Sequence, residues 1–268
     1  MSLDHTALAS SATARGESAA DLADQITASV RRARLVEAPF LHLALENIFP
    51  ADVYREMLAA MPTAGYRAMS GRSKVARRDD GSPTRVKIDL FPEYVRRFAP
   101  DSRALWQRVG RALRAPVLRD AFAERLAPGL ARRFGAAVDR QRFYPIPILT
   151  RDTPGYSIHP HTDTSWKAIT VQLYLPADSS ITHVGTVFHE RLADGTLKRV
   201  TQIPFAPNSG YAFAVGDDTW HSADVVGPEV RSRDSILLTY FVDTGALTFL
   251  RNRAKRAGNF LRSQVQSE

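Results

Sequence analysis

From residue 139 to 242 the chain is cut into eight short runs rich in β-branched and aromatic residues, and that cadence leaves few folds open. The runs are 140–149, 156–161, 168–175, 182–189, 197–205, 210–215, 220–226 and 232–242. They end in turn residues: Asp194-Gly195 is a hairpin signal, Pro207-Asn208-Ser209-Gly210 a second turn and Gly227-Pro228 a third. Strands in such a series protect their edges by folding into two packed antiparallel sheets. The expected architecture is therefore a mainly β jelly roll with flanking helices, whose mouth can hold a small-molecule site between the sheets.

The preceding half reads differently. Residues 1–18 lack hydrophobic periodicity, so a disordered tail is expected. With Ser18 available as N-cap, Leu22, Ile26, Val30 and Leu35 then recur at helical spacing. Residues 39–49 read as extended, and Pro50 opens a helix carrying Tyr54, Met57 and Met61. The basic, turn-rich stretch 66–84 reads as a loop of the kind that serves as a lid or binding loop, feeding the apolar run 86–91. Between 101 and 134, apolar spacing predicts two helices broken at Pro116 or Pro128, placed to buttress the outside of a sheet. The expected organisation is one integrated domain: tail 1–18, a helical and mixed part 19–138, a jelly-roll core 139–244, and a basic C-terminal helix 245–268.

Composition removes several chemistries. The chain has no cysteine, which excludes disulfides, thiolate nucleophiles and thiolate metal sites, so any metal must be held by histidine and carboxylate. No apolar run reaches the length of about 18 residues that a membrane span needs, and the first residues lack a signal peptide's apolar core; a cytoplasmic protein is expected. The formal charge of +8 comes largely from scattered arginines, denser at 72–78 and 251–262, and reads first as a solvated surface. Few aromatics interleave these stretches, so nucleic acid is not an expected partner.

The residues able to carry chemistry converge on 155–163, Gly-Tyr-Ser-Ile-His-Pro-His-Thr-Asp. On an extended segment His161 and Asp163 project from the same side and can bind one metal ion. A His-x-Asp pair alone is more often a capped turn, so a third ligand decides, and His221 supplies it 58 residues after Asp163. Two imidazoles and one carboxylate on one face of an ion leave the opposite face open, as in non-haem Fe(II) oxygenases. Downstream, Arg233 and Ser235 share a strand face, and an arginine fork grips a carboxylate bidentately. Arg231 has the same parity and is the reserve for that role. His159 adds a second histidine to the motif, which is how a cupin metal site begins; a cupin also supplies a glutamate a few residues later, and 162–168 contains none. Lys167, Trp166, Trp220 and His159 are pocket candidates, with solvation the plain alternative for Lys167 and core packing for Phe188.

The ordered set resembles the 2-oxoglutarate and Fe(II)-dependent dioxygenase superfamily, in its prolyl-4-hydroxylase-like and phytanoyl-hydroxylase-like breadth. The likeness covers about residues 145–242 and rests on Gly155-Tyr156, Ile158, Pro160-His161-Thr162-Asp163, Lys167, Ile169 to Pro176, Gly185-Thr186, Pro207-Asn208, Trp220-His221 and Arg233-x-Ser235. It implies a double-stranded β-helix, Fe(II) on His161, Asp163 and His221, and 2-oxoglutarate held by Arg233, Ser235 and Tyr156. It also implies O2 as oxidant, with succinate and CO2 released as a C–H bond of a small molecule is oxidised: an amino acid, a natural-product intermediate or a sugar acid. The interval of 12 residues from His221 to Arg233 is longer than the family's usual one, which keeps Arg231 in play. Two other readings stay open: a cupin-type metal enzyme indifferent to 2-oxoglutarate, and a non-enzymatic binding module with no need of metal.

Overall fold

Alternation along each strand decides what the sheets cover. In a computed structural model, which describes residues 18–69 and 77–243, the C-terminal half forms β5 (Phe143–Asp152), β6 (Ile158–His161), β7 (Lys167–Tyr174), β8 (Thr186–Arg191), β9 (Leu197–Ile203), β10 (Ser209–Ala214), β11 (His221–Ala223) and β12 (Arg233–Val242). All eight expected runs contain a strand. Two are trimmed: residues 182–184 form a 3-10 turn ahead of β8, and 220–226 contributes three strand residues. The Asp194-Gly195 turn joins β8 to β9, with Gly195 at φ +84° and the Asp194 carboxylate accepting from the Thr196 amide at 2.9 Å.

The strands pair as β10-β7-β12-β5 in one sheet and β6-β11-β8-β9 in the other. Counted within the core, that is sixth-third-eighth-first against second-seventh-fourth-fifth, the strand order of a double-stranded β-helix. The larger sheet is extended on both sides by N-terminal strands. On one side stand β2 (His42–Glu46) and β1 (Arg34–Val36), and on the other β4 (Arg85–Asp89) and β3 (Arg67–Ala68), giving eight strands. The two-residue β3 is too short to show a period, and β1 corrects the helical reading of Leu35: α1 ends at Arg32, and Leu35 is a strand residue paired with Leu43.

Six helices accompany the sheets among the described residues: α1 (Ala19–Arg32), α2 (Ala51–Ala59), α3 (Pro92–Val95), α4 (Pro100–Ala112), α5 (Pro116–Arg125) and α6 (Ala127–Phe134). Ser18 and Asp21 close a capping box at the start of α1. Pro116 and Pro128 each sit in a first turn, where the missing N–H costs nothing, so both open helices and 101–134 holds three rather than two. Met61 falls just beyond the end of α2. The expected tail, residues 70–76 of the basic loop and the C-terminal helix lie outside the described residues.

Two cores result. Ile236, Leu238 and Tyr240 of β12, with Val171 and Leu173 of β7, pack against Leu22, Ile26 and Val30 of α1 and Trp106 and Val109 of α4. The alternate positions face the smaller sheet, where Tyr174, Phe188, Phe205, Tyr211 and Phe213 fill a second, aromatic cluster. Trp106 is fully buried and its indole N–H donates to the Ala60 carbonyl at 2.8 Å. Trp106→Ala should therefore destabilise the fold by about 3–5 kcal/mol, measured by urea denaturation, without altering metal stoichiometry, because it lies in the core remote from the sheet interior.

Candidate active site

The metal-binding candidates meet where β6 and β11 pair. His161 and His221 are directly opposed in the register, and their ring centroids lie 4.3 Å apart. Asp163 follows β6 by two residues. The ligating atoms of His161, Asp163 and His221 all fall within 4.8 Å of one another, a spread one ion can bridge. Gly155, at φ +89°, makes the turn that carries the chain into this segment; the conformation suits glycine because it has no Cβ.

Main-chain carbonyls fix both imidazoles. The Nδ1 of His161 lies 2.9 Å from the His159 carbonyl, and that of His221 lies 3.0 Å from the Thr219 carbonyl. A carbonyl can only accept, so each Nδ1 carries the proton and each Nε2 keeps its lone pair for a metal. Asp163 is oriented by Thr170 Oγ1, which donates to Oδ2 at 2.5 Å, and by the Lys167 ammonium, which donates to Oδ1. Burial alone would raise the Asp163 pKa, but Lys167, His221 and these hydrogen bonds hold it below the usual value. Arg133 of α6 donates to the carbonyls of Ser165, Lys167 and Val215, clamping the loop that bears Asp163 against the end of β10.

Burial, reinforced by the neighbouring His161, pushes the His221 imidazole down to about 4. The unfolded state then takes up a proton near pH 6.5 that the folded state refuses until about pH 4. Stability should thus be intact above pH 6.5 and fall by roughly 2–3 kcal/mol as the pH drops from there to 4. Burial also shifts His42 and His189 downward, in the same sense. The His221 share is therefore the difference in pH slope between wild type and His221→Gln in urea melts of metal-free protein, and equal slopes would contradict it.

A second polar group lies deeper between the sheets. Arg233 is 1% exposed; its Nε donates to the Val184 carbonyl (2.6 Å), Nη1 to Asp152 (2.8 Å) and Nη2 to Thr186 Oγ1 (3.2 Å). These bonds commit three of the five guanidinium N–H groups, and the Tyr174 side chain is a further neighbour of the same guanidinium. Ser235 Oγ lies 2.9 Å from Thr150 Oγ1 and accepts from Gln172 Nε2 at 2.8 Å. Tyr156 is buried and its hydroxyl has no partner among the described residues. Arg231 precedes β12 and is exposed, so the strand parity that made it a reserve does not apply.

The remaining expectations divide. Lys167 is engaged with the Asp163 carboxylate. Phe188 packs against Phe40, His42 and Tyr211, a core role. Trp166 is 61% exposed at the rim and His159 is exposed, outside the ligand cluster. Trp220 lies under Arg191, 5.9 Å from its ring centre, with its indole N–H buried and unpartnered among the described residues. Sequence reading missed Asp152, Arg85, Thr150, Thr170, Gln172 and Arg133. For Thr170 and Gln172 a signal was present: alternate polar positions along an otherwise apolar strand.

No family model matches the chain, and no curated protein matches it. Among solved structures it is similar to a prolyl-4-hydroxylase from Pseudomonas putida, with 16% identity, a TM-score of 0.47, and 82% of this chain and 98% of that one covered. It is also similar to a prolyl hydroxylase from Trichoplax adhaerens, solved with a hypoxia inducible factor peptide fragment, with 10% identity, a TM-score of 0.47, and 83% and 90% covered. A 2OG-Fe(II) oxygenase family oxidoreductase from Burkholderia pseudomallei gives 13% identity, a TM-score of 0.45, and 84% and 92% covered. At these values the likeness adds no weight, and the fold rests on the strand pairing above.

Proposed function

We propose that the chain is a non-haem Fe(II) and 2-oxoglutarate-dependent oxygenase that oxidises a C–H bond of a small substrate, with the basic stretch 72–78 favouring an anionic one. The observation that carries this reading is the meeting of two imidazole nitrogens and one carboxylate oxygen within 4.8 Å, each ligand residue oriented by a hydrogen bond of its own. Three neutral-nitrogen and oxygen donors on one side of an ion suit Fe(II) and leave positions open on the other. Bound there, the iron would supply O2 activation coupled to decarboxylation of the 2-oxo acid.

The protein's own residues do the rest. His161, Asp163 and His221 would hold the metal, and Thr170 and Lys167 keep the Asp163 carboxylate ionised and aimed. Arg233, with Ser235 and the unpartnered Tyr156 hydroxyl, offers a buried seat for the far carboxylate of 2-oxoglutarate. The aromatic cluster of Phe40, Phe188, Tyr211 and Phe213 excludes water from the interior behind the ligands. A cleft of about 430 Å³ opens against Asp163, walled in part by Phe40, Thr219, Arg132 and Arg133, and gives a route of approach. Among the described residues no helix is long and apolar enough to cross a membrane.

The test is an anaerobic titration: Fe(II) into metal-free protein, then 2-oxoglutarate, followed by visible absorbance. Appearance of a saturable charge-transfer band supports the reading. Metal uptake without the band would turn attention to a cupin-type enzyme, and no metal uptake would make the three ligands a structural polar cluster.

A further inference from the structure

The inner face of the larger sheet carries a row of three charges, of which the proposed function uses only Arg233. In the strand register Arg85 of β4 opposes Asp152 of β5, which opposes Arg233 of β12, so the three side chains rise side by side toward the smaller sheet. Arg85 grips Asp152 with two bonds, Nε to Oδ1 at 2.5 Å and Nη2 to Oδ2 at 2.7 Å, and Arg233 Nη1 reaches the same Oδ2 at 2.8 Å. The side chains of Arg85, Asp152 and Arg233 are 15%, 0% and 1% exposed.

Guanidinium groups do not deprotonate in proteins, so two cations share one anion and the row holds one positive charge in excess. Among the described residues neither arginine has a second carboxylate partner; the other bonds of Arg233 go to a carbonyl and a hydroxyl. A surplus charge away from water is costly unless something of opposite sign arrives. Beside it sits the unpartnered hydroxyl of Tyr156, whose ring lies under Arg85 at 4.0 Å. Without Arg85, Asp152 would cancel Arg233, and the interior would have no net call on an anion.

We propose that Arg85 is a positioning residue which, by neutralising Asp152, leaves Arg233 its charge and so makes the site selective for a 2-oxo acid with a second carboxylate. This rests on the 2-oxoglutarate reading above. Arg85 acts through Asp152, and its effect belongs to recognition of the far carboxylate alone.

The experiment is calorimetric titration of the anaerobic Fe(II)-loaded full chain with 2-oxoglutarate and with 2-oxopentanoate, which has the same carbon chain without the far carboxylate. Arg85→Met should weaken 2-oxoglutarate on the order of tenfold while leaving 2-oxopentanoate within about twofold. Arg85→Lys, which keeps the charge, should stay close to wild type. Adding Asp152→Asn to Arg85→Met restores the surplus charge and should recover most of the 2-oxoglutarate affinity, a rescue that a purely structural role would not give. Unchanged 2-oxoglutarate binding in Arg85→Met, or further loss in the double variant, overturns the inference. Wild-type protein that takes up iron yet binds no 2-oxoglutarate overturns the functional reading itself, a separate outcome.

Discussion

Asp163→Ala protein should lose Fe(II) affinity by more than about 100-fold and form no detectable succinate at micromolar iron. The expectation can be graded. Mutating a residue that only orients a ligand typically costs 10–100-fold in metal affinity, and removal of the ligand itself costs more. Thr170→Val, which deletes the 2.5 Å bond to Asp163 Oδ2 and keeps the shape of the side chain, should therefore fall within that smaller range. His161→Ala should resemble Asp163→Ala, since its imidazole offers one of the three convergent ligand atoms. Binding is read by equilibrium dialysis with iron quantified, and turnover by succinate release. Stoichiometric iron and undiminished succinate in Asp163→Ala would remove the metal assignment. Equal losses in Asp163→Ala and Thr170→Val would instead mean that the carboxylate works by holding the loop.

The candidate metal ligands were legible because each carries its own chemistry in a short motif: a His-x-Asp pair on an extended run, and a later histidine heading another. The jelly roll was legible because alternation and turn residues are local signals. What stayed hidden depends on register. Asp152 lies three residues past the end of the expected run 140–149, Arg85 lies beyond a basic loop, and only the pairing of β4 with β5 and of β5 with β12 sets them beside Arg233. Lys167 reads from the sequence as a substrate contact or a solvated side chain, and its ion pair with Asp163 is neither. Pro116 and Pro128 show the opposite error, a local signal read as breaking a helix when each begins one. Parity misled in one place: Arg231 shares its parity with Arg233, but β12 begins only at Arg233.

Arg233→Met should raise the KM for 2-oxoglutarate roughly 100-fold or more while leaving kcat at saturation nearly unchanged. Losing one partner of a buried, hydrogen-bonded charge pair costs about 2–5 kcal/mol, and each 1.4 kcal/mol is about tenfold in affinity. The loss would fall on KM because the contact is the same in the bound complex and in the transition state. The fold should survive, since Asp152 keeps its two bonds from Arg85 and no anion is left unpaired. The effect should exceed that of Arg85→Met, because Arg233 would touch the carboxylate and Arg85 acts only through Asp152. Arg231→Ala should leave KM where it was, its side chain being exposed ahead of the strand. Initial-rate kinetics with varied 2-oxoglutarate at fixed iron give both parameters. A normal KM in Arg233→Met together with a raised one in Arg231→Ala would transfer the role, and would mean that the loop before β12 closes over the co-substrate on binding. A fall in kcat at unchanged KM would place Arg233 in the chemical step and dissociate it from recognition.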